Sequence, residues 1–245
     1  MNGELDAHTA VAFIYDPSAG SFRYVPALFQ TKDGKTIATI MSTSNSVYVI
    51  ASNPKSFQNI SGHWAKANIE RLASRQIITG VSGSEFAPGR TVTRAEFAAM
   101  LTRALGLTGE STSSSVFKDV PVTAWYADYV AAAAKAGLLK GYSDGTFRPD
   151  ATITREQMAV VAANALEFAK AAGADVPQAD GGSKTGFKDE AAIHSWALEA
   201  VKQVAAAGIL EGNNKSDFLP LDLASRAEAA TIIARLLQFA QLLNK

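Results

Sequence analysis

The chain has 245 residues, 47% of them hydrophobic, and its 23 Lys and Arg residues balance 23 Asp and Glu residues. Because the formal net charge is zero, no overall field attracts it to nucleic acid or to a membrane surface, and we expect neither as a partner. The lack of cysteine excludes disulfides, thiolate catalysis and Cys-ligated zinc. With only three histidines as well, we expect no metal site and no cofactor.

The first ten residues, MNGELDAHTA, lack the basic region and the apolar run of a secretory signal. No run of about 18 apolar residues indicates a membrane span either. The chain is therefore either a cytoplasmic protein or a piece of a longer one. We favour the piece, because residues 1–53 look too small and too strand-rich to fold alone.

Residues 11–50 have the pattern of β-strands. The runs VAFIYD, FRYVPALF, TIATIM and SVYVI are rich in β-branched and aromatic residues, and DPSAG and KDGK supply turns. These runs predict a β-meander of about four strands. The stretch ASNPKS at 51–56 then reads as a short linker.

From Phe57 onward the sequence repeats itself three times, with 30 residues between Trp and Arg in each copy. The aligned positions are Trp64, Trp125 and Trp196; Gly80, Gly141 and Gly212; Phe86, Phe147 and Phe218; Pro88, Pro149 and Pro220; and Arg94, Arg155 and Arg226. Each copy also opens on a phenylalanine, at Phe57, Phe117 or Phe187. We assign the repeats to 57–110, 117–172 and 187–243, with a Gly- and Pro-containing linker at 173–184.

Each repeat reads as helix, loop and helix. Apolar residues at 64, 69, 72, 73 and 77 recur at equivalent positions of the other copies, which predicts a first helix starting at the Trp and stopping near Gln76, Gly137 or Gly208. A second helix follows, such as 154–170 with Met158, Val161, Ala162, Ala165 and Phe168 inward. One such unit cannot bury its apolar stripe alone, so we expect a mainly α, pseudo-threefold helical core.

The second helices open in an unusual way. TVTRAEF at 91–97 contains the capping box Thr93–Glu96, and Arg94 takes the first helical position, where the helix dipole disfavours a cation by a few tenths of a kcal/mol. Arg155 and Arg226 repeat the arrangement. An Arg beside free helix N–H groups suits a carboxylate or phosphate, and we favour this hypothesis. The alternative is structural: pairing with a loop carboxylate such as Asp119 or Asp144, or with carbonyls of a preceding segment.

The tryptophans also allow two interpretations. At the start of a helix, a Trp is more often part of the core than a platform for a ligand. A Trp beside a groove between repeats could instead stack on the apolar face of a sugar. The polar, glycine-bearing loops GVSGSEF at 80–86 and GYSDGTF at 141–147 would then offer hydroxyl and backbone partners. This combination suits a carbohydrate that carries an acidic group.

The Phe, the Trp and the run GYSDGTFRPDATITREQ resemble the S-layer homology (SLH) repeat, and three tandem copies over 57–243 resemble an SLH trimer of a Gram-positive surface protein. The resemblance implies a three-pronged spindle with a central helix bundle, preceded here by a small β-rich segment. It also implies an extracellular place in the cell wall or S-layer and binding to pyruvylated secondary cell wall polymers, whose terminal unit is pyruvylated N-acetylmannosamine. We also expect contacts with an S-layer lattice, made through regions outside this chain.

The family's TRAE element falls on 93–96, with TREQ at 154–157 and SRAE at 225–228. By this resemblance we expect the arginines to hold the sugar carboxylate, the loops to bind ring hydroxyls and a Trp from the neighbouring repeat to close each groove. The expected ligand-binding residues are Arg94, Arg155, Arg226, Trp64, Trp125, Trp196, Gly80, Val81, Ser82, Gly141, Tyr142, Ser143, Asp144 and Asp119. We rely less on a site at 212–217, whose loop GNNKSDF departs furthest from the family. Asn59 stands where Asp119 and Asp189 stand in the other copies, which argues against a uniform carboxylate role.

Other functions fit less well. A glycoside hydrolase would need paired carboxylates across a cleft, but Glu156 is Ala95 and Ala227 in the other copies, so we expect no catalytic residue. SDGTFRPD lacks the acidic positions and central glycine of an EF-hand loop. We interpret His63 and His194 as surface residues. A structural protein-interaction module or an accessory part of a wall hydrolase remain the alternatives.

Overall fold

The computed structural model describes residues 9–42, 45–107, 115–179 and 186–244. A β-rich segment comes first, and six α-helices follow in the described residues. The strands are β1 (Ala10–Asp16), β2 (Ser21–Tyr24), β3 (Ala27–Lys32), β4 (Lys35–Ile40) and β5 (Val47–Ser52). The helices are α1 (Lys66–Ser74), α2 (Arg94–Ala104), α3 (Ala127–Lys135), α4 (Arg155–Ala171), α5 (Ser195–Ala206) and α6 (Arg226–Phe239). The fold is mainly α, as the sequence predicts.

The β-segment forms two small sheets, so the prediction of a simple four-stranded meander is wrong. One sheet has the strand order β2-β1-β5 and the other pairs β3 with β4, all antiparallel. The predicted run FRYVPALF is divided between two strands because Val25 and Pro26 lie outside both. Proline has no N–H to donate to a sheet.

Strand β1 is buried on both faces because its alternate residues point in opposite directions. Val11 and Phe13 belong to the same core as the helices, whereas Ala12 and Ile14 pack with Phe29 in a smaller cluster. Polar contacts tie the segment to the helices as well. Arg23 donates to the carbonyl of Gly106 at 2.8 Å, and the side-chain amide of Asn244 pairs with both backbone groups of Phe29. The β-segment thus packs against the helical region.

The ends of the first helices follow the sequence prediction. The residues expected to stop them, Gln76, Gly137 and Gly208, all have positive φ, the left-handed conformation that terminates helices. Helix α5 begins next to Trp196, close to the prediction, whereas α1 and α3 begin two residues after Trp64 and Trp125. Trp64 precedes α1 and is 65% exposed, so it is not the first member of the buried stripe.

All three predicted capping boxes are present. The side chains of Thr93, Thr154 and Ser225 accept hydrogen bonds from the backbone N–H three residues on, and Glu96, Gln157 and Glu228 reach back to the cap N–H. These boxes start α2, α4 and α6. They fix the chain segments that lead into the second helix of every repeat.

The repeats contact one another in a closed cycle. Short β-bridges join Thr93 to Thr152, Thr154 to Leu223 and Thr91 to Ser225, so each cap segment pairs with the other two. The first helix of each repeat packs on the second helix of the preceding one: α3 on α2, α5 on α4 and α1 on α6. The core is continuous through all three repeats. Among the described helices, none has the length and apolar character needed to cross a membrane.

Candidate ligand-binding grooves

The loop between the two helices has the same internal bonds in every repeat. Backbone N–H groups of Val81, Tyr142 and Asn213 donate to a carbonyl four residues on, at 2.7–2.8 Å. The fully buried rings of Phe86, Phe147 and Phe218 anchor the loops, and each packs on the phenylalanine that opens its own repeat. The loops are therefore held rigidly between the core and the surface.

Asp119 holds the base of the second loop. Its two carboxylate oxygens accept from the backbone N–H groups of Phe147 and Arg148, each at 2.7 Å. Arg148 has φ of 57°, so these bonds stabilise a left-handed residue. Asp189 makes the same pair of bonds in the third repeat, and the Asn59 amide oxygen accepts from Phe86 in the first. The variation that argued against a uniform carboxylate role is therefore explained by one shared task, accepting from the loop backbone.

Glycine is required where each loop begins. A Cβ on Gly80 would lie 2.4 Å from the carbonyl oxygen of Ser82 and 2.5 Å from that of Glu85. A Cβ on Gly141 would lie 2.3 Å from the ring of Phe117, and Gly212 is similarly crowded by Phe187. These glycines permit the opening phenylalanine and the loop turn to pack together.

The three arginines reach across to the loop of another repeat. Nε of Arg94, Arg155 and Arg226 donates to the carbonyls of Phe147, Phe218 and Phe86, respectively, at 2.8–3.1 Å. Their Nη2 atoms donate to the carbonyls of Lys140, Glu211 and Thr79, which precede the loop glycines. Arg94 and Arg226 are about 95% buried. The arginines thus bind backbone carbonyls, but those of another repeat and not those of the preceding segment that the structural alternative named. These contacts connect the repeats.

The premise that the helix N–H groups are free is wrong. The N–H groups of Arg94, Arg155 and Arg226 donate to the carbonyls of Ala151, Asp222 and Arg90 in another repeat, and the next N–H of each helix donates to a loop proline carbonyl. The capping Thr or Ser takes the third N–H. The helix N-termini therefore offer few free N–H groups to an anion, because their first N–H groups already donate to acceptors within the fold.

The tryptophans lie on the surface and not in the core. Trp64, Trp125 and Trp196 are 65%, 60% and 55% exposed. An indole that is more than half exposed on a rigid helix start leaves a face open for stacking. The exposure excludes the core interpretation, and the platform stays a prediction.

Two of these tryptophans line cavities between repeats. The first-repeat groove, of about 400 Å³, is lined by Gly80 and Val81 of the first repeat, Trp125 of the second and Arg226 of the third. The third-repeat groove, of about 490 Å³, combines the loop 211–214 with Trp64 of the first repeat and Arg155 of the second. Each groove is therefore built by all three repeats. Ser82 belongs to the same loop as Gly80 but is exposed beyond that lining.

Further charged residues line both grooves. The first-repeat groove also contains Arg90, Glu96 and Arg103, and the third-repeat groove contains Glu211, Asp222, Glu228 and Arg235. Sequence reasoning missed them. Arg103 and Arg235 occupy the same repeat position, nine residues after Arg94 and Arg226, where the second repeat has Asn164. Polar residues recurring at one position of a largely buried helix were the sequence signal that could have identified these groove residues.

The polar and aromatic groups of the second loop contact Arg94 of the first repeat and one another. Tyr142 and Phe147 have ring centroids 5.0 and 4.8 Å from the guanidinium carbon of Arg94, and Arg148 lies 4.0 Å over Tyr142. Burial lowers the pKa of Arg94. Asp144 accepts from the N–H and hydroxyl of Thr146 and pairs with Arg148 at 3.0 Å, which holds its pKa at about 2. Gly141 and Ser143 flank Tyr142 in this loop.

Glu156 and His194 form a pair that the sequence did not predict. Nδ1 of His194 lies 2.8 Å from the carboxylate of Glu156, which is almost fully buried, while the imidazole is half exposed. The pair joins α4 to the start of α5, so His194 has a structural contact and is not simply a surface residue. Among the described residues, no group of three or more His, Asp or Glu could hold a metal ion.

Comparison with known proteins identifies the repeats. The S-layer homology domain profile matches residues 57–98, 116–159 and 186–230, which is more than half of the chain. Amylopullulanase from Thermoanaerobacterium thermosulfurigenes is 38% identical over 234 residues, covering 95% of this chain and 12% of that protein. Exoglucanase XynX from Acetivibrio thermocellus is 39% identical over 74% of this chain and 16% of its own length. The Surface-layer 125 kDa protein of Lysinibacillus sphaericus is 29% identical over 82% of this chain and 16% of its own length.

The chain spans under a fifth of the length of each of these relatives. S-layer homology domains are cell-wall-binding modules that anchor surface proteins, and the module itself is not catalytic. With three matched copies, the chain belongs to the S-layer homology domain family.

Proposed function

We propose that this chain anchors the protein that carries it to the bacterial cell wall from outside the cell, by binding an acidic saccharide of a secondary cell wall polymer. The observation that carries the proposal is the pair of grooves between repeats, each with a half-exposed Trp and an Arg from different repeats. The closed cycle of contacts supports the three-pronged spindle as their framework.

The ligand of the proposal is pyruvylated N-acetylmannosamine at the end of the polymer. An indole face suits the apolar face of a sugar ring. Two nitrogens of Arg226 already bind carbonyls, but Nη1 is 3.9 Å from Glu96, beyond hydrogen-bond distance. That nitrogen and the surrounding arginines supply the positive charge that a ketal carboxylate requires.

A second candidate concerns the whole protein. Amylopullulanase and exoglucanase XynX carry the names of polysaccharide-degrading enzymes, while the Lysinibacillus protein is a surface-layer protein. The chain would then hold either a hydrolase or a lattice protein at the wall. Both versions require the same anchoring by this module, and lattice contacts would be made by regions outside it.

Calorimetric titration with synthetic pyruvylated N-acetylmannosamine tests the proposal, with N-acetylmannosamine lacking the pyruvyl group as the control. We expect heat of binding from the pyruvylated sugar alone, with a dissociation constant in the micromolar range or below. Silence from both sugars would contradict the proposal.

A further inference from the structure

The first-repeat and third-repeat grooves share four elements at equivalent positions. Each has an exposed Trp (Trp125 or Trp64), a cross-repeat Arg that is buried (Arg226) or partly buried (Arg155), a capping Glu (Glu96 or Glu228) and an outer Arg (Arg103 or Arg235). Shape and chemistry are therefore matched in these elements. Any difference between the grooves must come from the remaining positions.

Two remaining positions differ in charge. Thr79 of the first repeat is replaced by Glu211 in the third, and Arg90 is replaced by Asp222. The ionisable residues that line the first-repeat groove carry a net charge of +2, and those of the third-repeat groove carry −1. The side chains at both positions are exposed in both repeats, so the charges face the groove and solvent and not the core.

In the third-repeat groove, both arginines are already paired with carboxylates. Nη1 of Arg155 contacts Glu228 at 2.6 Å, and Nη1 of Arg235 contacts Glu211 at 3.0 Å. Because Nε and Nη2 of Arg155 donate to carbonyls, all three of its nitrogens have partners. A carboxylate ligand would have to displace a carboxylate of the protein.

In the first-repeat groove, the single carboxylate pairs with an exposed arginine. Glu96 contacts Arg90, and it lies 3.9 Å from Arg226. Burial lowers the pKa of Arg226, and the nearby charge of Arg90 adds to this while Glu96 opposes it. Arg103 lies 4.5 Å over the ring of Tyr129, which neighbours Trp125 at 6.5 Å. In the third-repeat groove, Asn68 replaces this Tyr, and Arg235 turns to Glu211 instead.

We propose that the two grooves have different ligand preferences: the first-repeat groove selects a saccharide unit that bears a carboxylate, and the third-repeat groove binds that unit more weakly. The selecting positions are 79 and 90 in the first groove and their counterparts 211 and 222 in the third. This inference rests on the proposed function. It adds that the module does not hold acidic units equivalently at its grooves.

The tryptophans allow each groove to be observed separately by fluorescence. In one variant only Trp125 remains, after Trp64→Phe and Trp196→Phe; in the other only Trp64 remains, after Trp125→Phe and Trp196→Phe. Titration with pyruvylated N-acetylmannosamine should change the Trp125 signal with a midpoint at least tenfold lower than that of Trp64. Equal midpoints, or tighter binding reported by Trp64, would overturn the inference.

Exchange of the selecting residues tests their role directly. Glu211→Thr with Asp222→Arg, in the Trp64 variant, should lower the midpoint for the acidic sugar at least tenfold. Thr79→Glu with Arg90→Asp, in the Trp125 variant, should raise it to a similar extent. The backbone carbonyls of all four residues accept hydrogen bonds from arginine groups of another repeat. The substitutions change only side chains, so these hydrogen bonds are kept. Circular dichroism confirms folding, and folded exchange variants with unchanged midpoints would overturn the inference.

The calorimetric titration of the unmodified chain separates the two proposals. If that titration shows binding but both single-Trp variants respond equally, the proposed function stands and the groove preference fails. If the titration and both variants are silent, both proposals fail. High salt should reduce the difference between the grooves, because it screens exposed charges over about 10 Å at 0.1 M.

Discussion

Asp119 shows how a residue expected in the binding site serves the loop beneath it. Asp119→Ala removes two 2.7 Å hydrogen bonds from backbone N–H groups to a carboxylate. We expect the free energy of unfolding to fall by about 3–6 kcal/mol, since two bonds to a charged group contribute about 1.5–3 kcal/mol each. Asp119→Asn, which copies Asn59, should lose less than half as much. Urea denaturation measures both, and an alanine variant as stable as the parent would contradict the assignment.

Tyr24 gives the protein an alkaline sensitivity. Burial raises the pKa of Tyr24 to about 12, whereas an unfolded tyrosine titrates near 10. Above pH 10 the unfolded state loses this proton first, so the free energy of unfolding falls by about 2–3 kcal/mol between pH 10 and 12. Below pH 10 the full contribution is present.

The variant Tyr24→Phe isolates this effect, because Phe fills the same space without an ionisable group. Stability measured at pH 9 and pH 11.5 should decline more steeply in the parent than in the variant. Parallel declines would show that Tyr24 does not contribute.

At the scale of structural elements, the loop glycine is the sharpest test of packing. A Cβ at Gly80 meets two backbone carbonyls within 2.5 Å, while a Cβ at Gly83 in the same loop meets nothing within 4 Å. Gly80→Ala should destabilise the protein by about 1–3 kcal/mol, the range for overpacking, and Gly83→Ala should be nearly neutral. Thermal unfolding of the two variants distinguishes them; equal melting temperatures would contradict the close packing.

The cross-repeat arginines are a second test at this scale. The sequence analysis expects these arginines to hold the sugar carboxylate, so loss of one should weaken a groove. The structure leads to a different prediction, because Arg226→Ala leaves the carbonyls of Phe86 and Thr79 without their donor. We expect the free energy of unfolding to fall by about 2–4 kcal/mol. Arg103→Ala, on the same groove, is the control, and denaturant unfolding in which both variants match the parent would contradict this role.

Much of the local structure is predictable because its signals are local. The boxes at Thr93, Thr154 and Ser225 start the second helices, and residues with positive φ end the first ones. The role of the arginines is not predictable in the same way, because their carbonyl partners lie in another repeat. The strand order was predicted wrongly for the same reason, because β1 pairs with β5, which is distant in sequence.

For the whole molecule, the three copies make a shared framework on which surface residues diverge. The framework consists of capped helices, clamped loops and arginines that connect the repeats. The sequence predicted the family and its three copies, and the comparisons confirm both. The charge difference between grooves needs the fold, because each groove takes residues from three separate parts of the chain.

The central claim is that the chain holds onto the cell wall through its exposed tryptophans. Co-sedimentation with purified Gram-positive walls, before and after chemical removal of the secondary polymer, tests this most directly. We expect the parent to sediment only with untreated walls and Trp64→Ala/Trp125→Ala/Trp196→Ala to stay in solution, with Leu221→Ala, another exposed apolar residue, as the control that binds. Equal sedimentation of the parent with stripped walls, or of the folded triple variant with untreated walls, would contradict the account.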